Sequence, residues 1–326
     1  MSAKRGKKYE NLVPTSMGVN LRSLAGMLRD QFRGDPRRKP AKPIPVVPLS
    51  LSAKARPDGI RVTWFGHSAF LLELEGRRLL FDPMFSASPS PVPIFGGKRY
   101  SGILPLAPED FPKLDAVILS HNHFDHLDKP SIRKLRDKAE RFVVPLGVRR
   151  LLIKWGVPPE RVTEHGWWDE LELAGLKLAC TPARHFSGRG LSDRNGSLWC
   201  SWVMHGPNSR VFFSGDSGYA PHFKDIGNKY GPFDLTMMEC GQYDERWANI
   251  HMMPEQTVQA HRDVRGGLLV PIHWAAFTLG FHAWDEPVER AVKAARAQGV
   301  RIATPRIGET VEVSEEGYPQ SAWWRE

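Results

Sequence analysis

The segment DAVILSHNHFDHLD, residues 115–128, restricts the fold more than any other part of the chain. Its first half contains AVILS, a continuous apolar run without alternation, which predicts a strand covered on both faces. Its second half places His121, His123, Asp125 and His126 within six positions directly behind that strand. Nitrogen and oxygen donors crowded onto one loop suit a borderline cation such as zinc. So short a loop cannot complete two coordination spheres, and further ligands must arrive from other strand ends. His185 in TPARHFSG, Asp216 in FFSGDSGY and His273 in VPIHW each follow an apolar run that reads as a strand. Strand ends on one edge of a layered α/β domain converge on one crevice. His67, in WFGHSAF, lies between two early strands and is expected to brace the ligand loops.

Short strands begin at Ile60 with IRVTW, AFLLEL and RLLFD, and continue through LKLAC, LWCSWVM, RVFFSG, LTMMEC and GLLVPIH. Helices are expected near 130–139, 146–155, 254–264 and 285–298. Alternation of this kind predicts an α/β layered domain over residues 56–326. Residues 1–55 read as a separate N-terminal arm with a basic start, a helix candidate from Val19 to Phe32 and the Pro-rich stretch DPRRKPAKPIPVVP. In the helix candidate Leu21, Leu24, Met27, Leu28 and Phe32 fall three and four apart, with Arg22, Arg29 and Arg33 between them.

The formal charge of +9 suggests nucleic acid until it is located. Residues 1–43 hold 11 Lys and Arg against 3 Asp and Glu, a net +8, which leaves +1 for the rest. A body so nearly neutral lacks the basic groove a nucleic acid requires, so no nucleic-acid partner is expected. The arm is expected to make peripheral contact with an anionic membrane surface; the alternative is that its apolar stripe packs on the protein itself, at the substrate entrance or in a homodimer contact. No apolar run approaches the ~18–20 residues of a membrane span, and MSAKRGKKYENLVP has no apolar segment behind its basic residues. Cys180, Cys200 and Cys240 are odd in number, widely spaced and without a CxxC pair, which points to a reducing compartment. The expected location is the cytoplasm, peripheral to the inner face of the membrane.

The pattern HxHxDH followed by a His, an Asp and a final His resembles the metallo-β-lactamase superfamily over about residues 60–313. The resemblance implies a four-layer αββα sandwich. It also implies a first metal held by His121, His123 and His185, a second by Asp125, His126 and His273, and Asp216 bridging. The segments WFGHSAFLLELEGRRLLFDPMFS, PARHFSGRGLSDRNGSLWCSWVM, FFSGDSGYAPHFKDIGNKYGPFDLTMMECGQYDERW and HMMPEQTVQAH further resemble the N-acylphosphatidylethanolamine-hydrolysing phospholipase D family. What that family likeness implies is phosphodiester hydrolysis on a phospholipid-like substrate. In the loop FSASPSPVPIFGGKRY, Pro93, Ile94 and Phe95 depart from the polar and aromatic residues of the family segment.

The expected mechanism uses two zinc ions, with iron or manganese as alternatives at one position, sharing a hydroxide that attacks phosphorus. Asp216 and Asp125 are assigned catalytic roles through that centre. His251 in NIHMMPE, at a predicted helix start, resembles the family histidine that holds the phosphate. Phe95 and Trp274 are candidate substrate contacts, and Trp199, Trp202, Trp247 and Phe277 are further candidates for an apolar channel. A lactonase or another metal-hydroxide hydrolase is the alternative function.

Overall fold

The computed structural model describes the chain except residues 1–3, 7, 17–20, 53, 91–96, 191 and 314–316. In the arm, β1 (Lys4–Arg5) pairs antiparallel with β2 (Lys8–Tyr9), and α1 (Leu21–Arg33) follows. The expected start of that helix at Val19 lies outside the described residues, as do the side chains of Leu21, Leu24 and Phe32.

The first large sheet uses β3 (Ile60–Trp64), β4 (Phe70–Leu74), β5 (Arg77–Phe81), β6 (Leu114–Ile118), β7 (Ala139–Pro145) and β8 (Val162–His165), with α2 (Lys129–Leu135) and α3 (Arg149–Lys154) between its later strands. The second uses β9 (Glu170–Leu173), β10 (Leu176–Thr181), β11 (Ser201–His205), β12 (Arg210–Phe213), β13 (Phe233–Glu239), β14 (Gly266–Ile272) and β15 (Arg301–Ile302), with α4 (His222–Tyr230), α5 (Pro254–Asp263) and α6 (Glu286–Ala297). A last strand, β16 (Thr310–Glu312), returns to pair with β3, so the first sheet runs β16-β3-β4-β5-β6-β7-β8 and the second β15-β14-β13-β12-β11-β10-β9.

Side chains alternate across each strand, and this sorts them into layers. Phe70, Leu72, Leu79, Phe81, Ala116 and Ile118 of the first sheet meet Leu178, Met204, Phe213, Leu235, Met237 and Val270 of the second in one core. The intervening Leu71, Leu80 and Val117 turn outward onto Ile132, Leu135 and Leu152 of α2 and α3. On the other side Phe212, Met238 and Leu269 pack against Phe223 and Ile226 of α4, Val258 of α5 and Ala291 of α6. The result is the αββα sandwich, and the continuous apolar run at β6 has apolar cover on both faces, as expected.

The arm is docked on this body. Tyr9 and Ile44 are buried, and Ile44, Val47 and Leu49 donate backbone hydrogen bonds to the carbonyls of Tyr100, Ile307 and Pro105. No helix among the described residues is long and apolar enough to cross a membrane, and Cys180, Cys200 and Cys240 are free and buried.

Candidate metal centre

Strands β5, β6 and β7 run parallel in one sheet and β12, β13 and β14 in the other, so their C-terminal ends gather at one edge. There Asp82 follows β5, His121 to His126 follow β6, Asp216 follows β12, Glu239 ends β13 and His273 directly follows β14. Strand β10 points the same way as β12, because each is antiparallel to β11, and it delivers His185. His67 sits in the turn between β3 and β4. Gly215 allows the approach of Asp216: its φ is +55°, and a Cβ there would lie 2.5 Å from the Cys200 carbonyl.

The seven residues expected as ligands come together. Donor atoms of His121, His123, His185 and Asp216 all lie within 4.8 Å of one another, as do those of His67, Asp125, His126 and His273. Asp216 Oδ2 lies 3.7 Å from His121 Nε2, 3.8 Å from His185 Nε2 and 3.0 Å from His126 Nε2, and Oδ1 lies 3.2 Å from His273 Nδ1. His67 belongs to the second set by position, and its Nε2 is 2.8 Å from Asp125 Oδ2, the bracing contact.

Three of the rings are aimed from behind. His126 Nδ1 is 2.7 Å from Asp82 Oδ2, and Asp82 accepts from Ser120 N at 2.8 Å and Ser120 Oγ at 2.5 Å. His121 Nδ1 lies 2.9 Å from Ser120 Oγ, and His185 Nδ1 donates to the Ile250 carbonyl at 2.9 Å. Outer contacts of this kind select the tautomer and turn Nε2 inward. Arg189 anchors the loop by donating to the carbonyls of Asn122 and Leu127 at 2.8 and 2.7 Å. His67 and His273 take positive φ, +53° and +69°, a conformation costly for residues other than glycine. Two reciprocal backbone bonds hold it, His67 N to Trp274 O at 3.0 Å and His273 N to His67 O at 2.8 Å.

Burial keeps His121, His185 and His273 far below the ordinary imidazole pKa, and His123 at about 4, so these rings are neutral donors at pH 7. Burial would also depress His126, but Asp216 and Asp125 reverse that and raise it. Burial opposes ionisation of Asp216 as well, yet His126 outweighs it and the carboxyl sits at about 2. Buried His126 Nε2 and Asp216 Oδ1 make no hydrogen bond, and His121 Nε2 is only 2.8 Å from His123 Nδ1. Orphaned buried polar atoms and converging ring nitrogens are what a divalent cation satisfies, so the donor set fits one.

The centre opens into a cavity of about 380 Å³ lined by Met27, Phe186, Gln242, Trp247, Ile250 and Leu279, with His251 at its side. His251 Nδ1 is 2.7 Å from Oε2 of the fully buried Glu239. Burial pushes Glu239 up to about 7, and the carboxylate raises His251 against its own burial. His251 precedes α5 by three residues and does not start it.

Four aromatic expectations need correction. Trp274 is 1% exposed and stacks between Trp64 and Trp323, at 5.4 Å from each, in the inter-sheet core. Trp199 and Trp202 are equally enclosed, their indole N–H groups bound to backbone carbonyls, and Phe277 lies beneath the Arg99 guanidinium. These rings are buried in the protein's interior, and of the expected channel aromatics among the described residues only Trp247 lines the cavity, joined there by Phe186, which was not expected. Phe95, with Pro93 and Ile94, lies outside the described residues. Asp82 and Glu239 hold His126 and His251 without having been expected to; the usable signal was a lone acid closing an apolar strand, as in RLLFD and LTMMEC, while Met27, from the arm's apolar stripe, lines the cavity as the self-docking alternative expects.

Residues 77–274 match the model of the beta-lactamase superfamily domain. The chain is 40% identical to an uncharacterized protein of Mycobacterium tuberculosis, over 98% of this chain and 87% of that one. It is 35% identical to the N-acyl-phosphatidylethanolamine-hydrolyzing phospholipase D 1 of Caenorhabditis elegans, over 68% of this chain and 66% of that one. Among solved structures it is similar to Igni18, a metallo hydrolase from Ignicoccus hospitalis, with a TM-score of 0.59 at 22% identity over 79% of this chain and 100% of that one. The chain belongs to the beta-lactamase superfamily and has the metallo-β-lactamase fold of its metal-dependent hydrolases.

Proposed function

We infer that the chain is a dinuclear metal-dependent phosphodiesterase that hydrolyses a phospholipid-like substrate, the activity its Caenorhabditis elegans relative is named for. The observation that carries this reading is the meeting of two N/O donor sets at Asp216, on the floor of a cavity whose wall includes Met27, Phe186, Trp247, Ile250 and Leu279. His121, His123 and His185 would hold one cation, Asp125, His126 and His273 the other, and Asp216 would be shared. Zinc suits these donors, with iron or manganese as alternatives at one position. Bound there, the cations would supply Lewis acidity toward a phosphoryl oxygen and lower the pKa of a water molecule.

The chain's own residues supply the rest. Asp216, ionised and fixed, would orient the attacking water. The His251–Glu239 pair retains a proton at neutral pH, and Nδ1 is spent on Glu239, so Nε2 is the face left for a phosphate oxygen. The apolar wall excludes water and accepts acyl chain, and Leu28, beside Met27 on α1, is exposed as a lipid substrate's approach would require.

Zinc-loaded protein is tested on a matched lipid phosphodiester and lactone, with metal content measured by elemental analysis. About two metals per chain and preference for the phosphodiester are expected. His251→Ala should lower phosphodiester turnover by ~100-fold with metal content unchanged. Faster lactone hydrolysis would transfer the assignment to the lactonase alternative, and absence of stoichiometric metal would refute the centre.

A further inference from the structure

Among the described residues the loop between β10 and β11 that carries His185 has no strand paired with it there, yet both backbone polar groups of His185 are satisfied. Asn11, 174 residues earlier, does this with one side chain. Its Nδ2 donates to the His185 carbonyl at 2.8 Å, and its Oδ1 accepts from His185 N at 3.1 Å. The same Oδ1 accepts from the Trp199 indole N–H at 3.0 Å. A carboxamide is planar with a donor and an acceptor side by side, so it can stand in for one rung of an antiparallel ladder.

The residues around Asn11 extend the contact to the neighbouring loops. Arg184 Nε donates to Thr15 Oγ1 at 3.1 Å and its Nη2 to the Pro14 carbonyl at 2.8 Å. The Arg184 backbone in turn is tied to the Asp216 loop, through Ser217 Oγ at 2.9 Å and Gly218 N at 2.8 Å. Asn249 Nδ2 donates to the Ser16 carbonyl at 3.0 Å, and the next residue, Ile250, supplies the carbonyl that fixes the His185 ring. Upstream, Tyr9 is buried and its N–H binds the Asn195 carbonyl at 2.9 Å.

We propose that residues 9–16 form a strap that sets the position of His185 toward its metal, with Asn11 as the positioning residue. The proposal rests on the metal-centre reading above. The strap reaches the His185, Asp216 and His251 loops together, and ligand placement to within about 0.5 Å decides how well a cation is held. Alanine at position 11 leaves both backbone groups of His185 unpaired, while aspartate keeps the acceptor toward His185 N and Trp199 but turns a second carboxylate oxygen onto the His185 carbonyl, two acceptors face to face.

The test is zinc affinity of the full chain by chelator competition, resolved into its two equivalents, for the parent, Asn11→Ala and Asn11→Asp. In Asn11→Ala one equivalent should be released about ten-fold more readily, the size expected when support of a ligand is removed, with the other unchanged. Asn11→Asp, which sets a carboxylate oxygen against the His185 carbonyl, should weaken the same equivalent and leave the other unchanged, and it carries the same test where the alanine variant does not fold. Cobalt substitution provides a second readout, since a displaced ligand alters the visible absorption of one site. Unchanged affinity in Asn11→Ala, or equal weakening of both equivalents with a matching fall in the melting temperature of zinc-free protein, overturns the strap's role. A parent chain that binds no zinc refutes the metal-centre reading and the strap with it, a result distinct from any Asn11 effect.

Discussion

His126 shows how much of the centre is made by atoms that touch no ion. Its ring is held 2.7 Å from Asp82, which two bonds from Ser120 hold in turn. Asp82→Ala leaves every expected ligand in place but frees that ring to choose its tautomer. Metal affinity should drop about 10–100-fold, measured by chelator competition on the folded variant, because outer contacts of metal-ligating histidines are typically worth that much. Affinity equal to the parent's would show that packing alone orients His126. The gathering of the expected ligands was legible because HxHxDH concentrates donors where chance rarely does. Asp82 and Glu239 were not, since a single acid at a strand end looks like any other, and its meaning arises only when the fold brings it beneath a histidine. Trp274 failed for the opposite reason: adjacency to His273 in sequence suggested the cavity, but after β14 ends the chain turns at His273, with its positive φ, and the Trp274 ring lies in the core with Trp64 and Trp323.

Among the elements, β3 to β6 and β10 to β14 were readable from apolar runs, whereas β7, β8, β9, β15 and β16 were not, and α2, α3, α5 and α6 lie within or close to the expected ranges. Helix α4 went unread. Its sequence HFKDIGNKY has a central glycine and weak helix formers, but Phe223, Ile226 and Tyr230 are buried. Gly227 lies so close to α5 that a Cβ there would meet the Asp263 carbonyl at 2.2 Å. Tertiary packing overrides propensity at that contact. In α5, His261 is 2% exposed and faces Thr236 across 2.8 Å, and burial pulls its pKa down to about 4. The unfolded chain binds a proton there near pH 6.5 and the folded chain does not until about pH 4. The stability His261 permits is therefore complete above pH 6.5 and declines as pH falls toward 4, by roughly 3 kcal/mol over that window. His261→Gln should flatten the fall by that order, measured as the difference in urea midpoint between variant and parent from pH 7 to pH 4.5. Parallel pH profiles would show that His261 charges without cost.

At the scale of the whole molecule the arm is where charge and docking separate. Arg29 and Arg37 are exposed but paired with Asp30 and Asp35, and Asp30 also receives Arg246 at 2.9 Å, a link between α1 and the cavity side of the body. Met27 of the same helix lines the cavity, so the arm contributes wall as well as charge. Deleting residues 1–55 would remove Met27 and Asn11 and uncover the sites of Tyr9 and Ile44, and so cannot isolate a membrane role. Lys8, Lys39 and Lys42 are exposed, and reversing them to glutamate leaves the packed side of the arm untouched. If the arm works at an anionic bilayer, each lysine contributes ~1 kcal/mol, so the triple variant should sediment with phosphatidylserine vesicles on the order of 100-fold more weakly at low salt. That difference should shrink as the Debye length shortens with added salt. Hydrolysis of a short soluble phosphodiester should be unaffected, because none of the three lysines lines the cavity. Sedimentation equal to the parent's at low salt would assign the arm to the enzyme's own surface alone, with Met27 and the Arg246–Asp30 pair as its purpose.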